Sequence, residues 1–170
     1  AMKLNARSIA LCAVLTALAL GLSTLENLFP VTLIVPLPGV KLGLANIVTV
    51  FALYQLGAGA ALAILLTRCL LGGLFAGNLS AMLFSVLGGL TAMLVMIFLR
   101  RLPKLSVYGV SIGGAAAHNI GQMAAAVITL GSTMVLGYLP FLLAVSLFTG
   151  ALTGFITALL LRATRHIRFH

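Results

Sequence analysis

The chain has 170 residues, 62% hydrophobic and 6% charged, against roughly 25% charged in a soluble domain, so a water-soluble globule is excluded. Ten Lys and Arg stand against a single acid, Glu26, with no aspartate anywhere, for a net charge of +9. Aspartate-built magnesium sites, paired acid/base carboxylates and Ser/His/Asp triads are excluded with the missing acids, and the chain reads as a non-enzyme with no cofactor of its own.

A membrane-spanning helix takes about 20 mostly apolar residues. The hydropathy pattern and its turn-forming breaks predict an all-α integral membrane protein, one domain over residues 2–170 with six transmembrane helices at about 7–28, 41–56, 58–76, 79–100, 106–131 and 136–162. Ala1 ahead of Met2 reads as a cloning remnant, and the first apolar run as a membrane helix rather than a signal peptide. On that helix Ala6, Ala10, Ala13, Ala17, Gly21 and Thr24 recur every three or four residues, a face that a second helix could approach closely, inside the fold or on a partner. Glu26 and Asn27 close it.

Residues 29–40 are apolar but hold Pro30, Pro36, Pro38 and Gly39, which bars a regular spanning helix. The segment is expected at the outer surface, either as an interfacial loop or as a lid folded over what lies beneath. Lys41 and Asn46 open the second helix. Gly57 and Gly59 separate it from the third, in which Arg68 sits well inside an apolar run. An arginine in hydrocarbon costs about 2.5–3.5 kcal/mol on insertion scales, so such a residue faces a partner, a cavity or a pathway. Cys12 and Cys69 lie in apolar segments without metal-ligand spacing, and no metal site is expected.

Gly77 and Asn78 break the third helix from the fourth, which ends at Arg100, Arg101 and Lys104. The fifth carries His118, Asn119 and Gln122, with His118 and Gln122 on one face by i, i+4 spacing. Gly109, Gly113, Ala117 and Gly121 form a small-residue row beside them, expected to serve internal packing, and Gly150 and Gly154 form a similar pair on the sixth. Eight of the ten basic residues, namely Lys3, Arg7, Arg100, Arg101, Lys104, Arg162, Arg165 and Arg168, fall on one side of this topology. By the positive-inside rule both termini are then cytoplasmic. That placement accounts for the net charge as a topology signal, and no basic run is interleaved with stacking aromatics, so nucleic acid is not a partner.

Laid out in this topology, the polar side chains of the first four helices collect in the outer half of the bilayer, and the fifth adds His118 and Asn119 near mid-depth with Gln122 one turn further out. The candidate substrate-binding residues are Arg68, Lys41, Asn46, His118, Asn119, Gln122, Asn78 and Glu26. A guanidinium suits phosphate or carboxylate, so an anionic or polar-headed small molecule fits the cluster. The competing reading is structural: Arg68 pairs with Glu26, and the amides and histidine bond across helices as interhelical glue.

Three stretches, PGVKLGLAN (38–46), RCLLGGLFAGN (68–78) and AHNIGQ (117–122), resemble the bacterial Gx transporter family, also catalogued as heptaprenyl diphosphate synthase component I. That family is similar to the S components of energy-coupling factor (ECF) importers. The resemblance implies an S-component-like fold of six helices with cytoplasmic termini in a bacterial plasma membrane. It further implies that Ala10, Ala13 and Ala17 meet a membrane coupling subunit, and that partner ATPases supply the energy, because this chain has no Walker motif. The ligand would be small and anionic or amphiphilic, such as a prenyl diphosphate or a vitamin- or quinone-precursor-like compound. The alternative the family name carries is a non-catalytic accessory of a soluble prenyl diphosphate synthase.

Overall fold

A computed structural model describes residues 6–28 and 43–166, apart from the side chain of Asn27. The predicted lid at 29–40 and Lys41 lie outside the described residues. Six α-helices follow in order: α1 (Ala6–Leu28), α2 (Asn46–Gln55), α3 (Ala58–Ala76), α4 (Leu79–Arg100), α5 (Val107–Leu130) and α6 (Leu139–Ala163), with a 3₁₀ turn at Thr133–Tyr138 ahead of α6. Helix α2 starts at Asn46 where 41 was expected, and α6 starts at Leu139, after the 3₁₀ turn, where 136 was expected. Gly77 closes α3 in the left-handed conformation at φ +59°, open to glycine without steric cost, and Asn78 then starts α4 as its N-cap, Oδ1 accepting from the Ala81 N–H at 2.9 Å.

Four of the six expected spans are long and apolar enough to cross a membrane: Ala6–Glu26, Ala58–Ala76, Leu79–Arg100 and Thr133–Ala163. The other two fall short for different reasons. Helix α2 has 10 residues, about 15 Å at 1.5 Å per residue, half of a hydrocarbon core of about 30 Å. Helix α5 has the length, with 24 residues, but its inner face is Ser111, His118, Asn119 and Gln122, all buried. Both are shielded by protein, Asn46–Leu53 of α2 being buried without interruption. Polar or truncated helices are tolerated at membrane depth when other helices cover them.

Small residues set how closely the helices pack. The pair α4–α5 closes over Gly121, where an added Cβ would lie 2.5 Å from the Leu87 carbonyl oxygen and 2.9 Å from the Gly88 Cα. Thr91 Oγ1, 2.9 Å from the Ala117 carbonyl, bonds across the same crossing. On the opposite side of α5, an added Cβ on Gly150 of α6 would meet the Ile112 Cα at 2.5 Å. The small-residue rows of α5 and α6 are therefore used inside the bundle. The row on α1 is not: Ala6, Ala10, Ala13, Ala17, Gly21 and Thr24 are all exposed, while Ser8, Leu15, Ala19 and Glu26 turn inward.

Replacing Gly121 with alanine drives a methyl into the α4 backbone, which cannot rotate away. A loss of about 1–3 kcal/mol is expected for such overpacking, measurable as a lowered melting temperature of the detergent-purified protein; an unchanged melt would contradict the backbone contact.

Candidate functional site

The site begins with Arg68. Helix α3 is otherwise apolar or small throughout, apart from Thr67, and it carries this guanidinium at 6% exposure. Its Nη2 donates to Asn46 Oδ1 at 3.4 Å, a long bond, and its Nε has no hydrogen-bond partner. Asn46 is the first residue of α2. A charge at that position adds to the positive end of the α2 dipole, so two positive features meet at one point.

The approach to α2 makes this junction. Gly43 has φ +87°, a conformation that favours glycine, and its N–H donates to the Glu26 carboxylate at the end of α1. A Cβ on Gly43 would sit 3.1 Å from Asn46 Nδ2 and 3.8 Å from His118 Cδ2, so the bare backbone lies between α2 and the imidazole of α5. On the far side of that imidazole, Gly88 of α4 plays the same part. A Cβ there would lie 2.9 Å from His118 Cε1 and 3.0 Å from Gln122 Cγ. Two glycines, one just ahead of α2 and one on α4, thus make room for the α5 side chains.

Gln122 is fully buried, and neither its Oε1 nor its Nε2 has a hydrogen-bond partner. Leaving a buried polar group unsatisfied costs about 1–3 kcal/mol. Unmet hydrogen-bonding capacity at this site thus lies at Arg68 Nε and at both ends of Gln122, and elsewhere in the bundle Ser111 Oγ and Thr157 Oγ1 are also buried without a hydrogen-bond partner.

Of the eight candidates, Glu26, Asn46, Arg68, His118 and Gln122 come together. Asn119 turns to α6, its Nδ2 donating to the Leu142 carbonyl at 2.8 Å, the interhelical role that was the alternative for this group. Asn78 is exposed and engaged as the α4 cap. Arg68 bonds to Asn46, and the Glu26 carboxylate accepts from the Gly43 N–H. Sequence reading missed Gly43 and Gly88 because a site formed by an absent side chain leaves no chemical signature; their signal was φ demand and packing. It also assigned Arg100 to topology alone. In the fold Arg100 donates to the Leu53 carbonyl at the C-terminal end of α2 and lies 5.0 Å from the Tyr54 ring centroid.

The chain's one acid is engaged by the Gly43 N–H, and among the described residues no three of His, Cys, Asp and Glu gather as a metal site. Residues 15–160 match the family model described as heptaprenyl diphosphate synthase component I. No curated protein and no solved structure matches the chain.

Asn78→Ala should cost about 1 kcal/mol, typical of a lost N-cap, seen in thermal melts and restored by Asn78→Asp. The same variant should retain as much co-purifying small molecule as the parent, measured by mass spectrometry of the denatured protein; depletion would return Asn78 to the site.

Proposed function

We propose a role from one premise: the chain belongs to the heptaprenyl diphosphate synthase component I family. It is a non-catalytic membrane subunit that captures a small anionic or amphiphilic molecule at Arg68 and acts through partner proteins, as the S component of an ECF-type importer does. The observation carrying this reading is Arg68 itself, 6% exposed, bonded weakly to one neutral amide and left with an open guanidinium edge. A charge kept at that cost needs a counter-group, and a ligand that arrives and leaves supplies one.

The exposed face of α1 supports the partner half of the reading. Ala10, Ala13 and Ala17 face outward with no long side chain to order on contact, so a coupling subunit could pack against the helix backbone at little entropic cost. ATPases bound to that subunit would drive import into a bacterial cell, with both termini of this chain on the cytoplasmic side. The family description favours a second reading, in which the chain is the membrane accessory of a soluble prenyl diphosphate synthase. The absence of aspartate agrees with it equally, since catalysis then resides in the other component.

Purification from native membranes with partners retained separates the two: a membrane coupling subunit with ATPases supports import, and a soluble synthase supports the accessory role. Arg68→Ala should reduce retained ligand at least about tenfold, in line with the loss of a hydrogen bond to a charged group, with little change in melting temperature. Parallel loss of stability would identify Arg68 as structural. Ala13→Trp should abolish partner co-purification and leave ligand retention intact; a complex that survives it would remove α1 as the docking face.

A further inference from the structure

The unmet groups of the site are of two kinds, and they sit apart. Arg68, on α3, is a cation whose open edge asks for an anion. Gln122, on α5, is a neutral amide whose donor Nε2 and acceptor Oε1 both lack a hydrogen-bond partner, at 0% exposure. The two are joined through Gly43, His118 and Gly88, whose contacts place them along one cluster. An anion with a hydrocarbon tail would satisfy the first and leave the second as orphaned as before. Asn119, the amide three residues earlier on the same helix, has found a protein partner in Leu142, so the fold can satisfy an amide here where it needs one for packing.

We propose that the molecule held at Arg68 has two polar ends: an anionic group on the guanidinium at the head of α2, and an uncharged carboxamide-like group on Gln122. An amide edge presents a donor and an acceptor side by side and so meets Oε1 and Nε2 together. This inference rests on the receptor reading above and narrows its ligand. It selects against simple prenyl diphosphates, which have no second polar group. Discrimination of this type is strong, because a site built to hydrogen-bond a substrate group rejects the analogue that lacks it.

The test uses paired probes on the detergent-purified full chain: ω-carbamoyl alkanoates of increasing length, from succinamate upward, each against the unbranched alkanoate of equal chain length. Affinity is read by calorimetry and by shift of the melting temperature. At the length that spans the cluster, the carbamoyl acid should bind about tenfold tighter or more than its partner. Gln122→Leu, with Gln122→Met as the second variant, should erase that preference without lowering the melting temperature of the ligand-free protein. Arg68→Gln should abolish binding of both members of the pair. Equal affinities at every length, with dependence on Arg68 intact, would overturn the two-ended ligand and leave the receptor reading in place. Failure of every acid to show Arg68-dependent binding would overturn the receptor reading itself. A marked fall in melting temperature for both Gln122 variants would show the amide to be a satisfied structural group and would also overturn the proposal.

Discussion

A guanidinium placed in an apolar helix is the constraint around which this bundle is organised. Arg68 is 6% exposed with one long bond to Asn46, and a charge held in apolar surroundings is costly. The surroundings must therefore supply polarity at that depth, and they do so with a helix that begins there. By starting at Asn46, α2 brings a side-chain oxygen and the positive end of its own dipole to the same place. The combination is favourable for an incoming anion and costly without one.

The shortness of α2 follows from this. A full spanning helix would carry its N-terminus past the cluster to the surface. A 10-residue helix ends within it, and its exposed backbone groups are then met by neighbours: Glu26 accepts from Gly43 just before the helix starts, and Arg100 donates to Leu53 near its finish. Gln55 Nε2 adds a bond to Thr164 Oγ1 at 3.3 Å beyond α6. The one acid of the chain and one of its basic residues thus serve opposite ends of the same short element.

Much of this was legible in the residues. Apolar length and turn formers located the helices, because both act locally and leave marks in composition. Arg68, Glu26, His118 and Gln122 announced themselves as polar groups in apolar surroundings, and the structure brings them together. Asn119 and Asn78 did too, yet each is absorbed by backbone, one by the Leu142 carbonyl and one by the N-terminus of α4. Sequence spacing cannot separate such cases, since both kinds of amide share a helix face or a helix end with the site. Of the six expected spans, the second of them already short, four are long and apolar enough to cross a membrane, while α2 and α5 are covered by protein, and hydropathy alone does not reveal which helices are inside. Gly43 and Gly88 matter through the volume they leave empty, a property only the assembled fold displays.

The glycine crossings carry a mechanical consequence. Where Gly121 rests on Gly88 and Gly150 rests on Ile112, main chain packs on main chain, and the Thr91 hydroxyl beside the first crossing is pinned by its bond to the Ala117 carbonyl. Helices α4, α5 and α6 are meshed like gear teeth without backlash, so a push on one is delivered to the others undamped. Compliance is left to the side of the bundle where α1 presents its outward flank, while the slab behind His118 and Gln122 keeps its form.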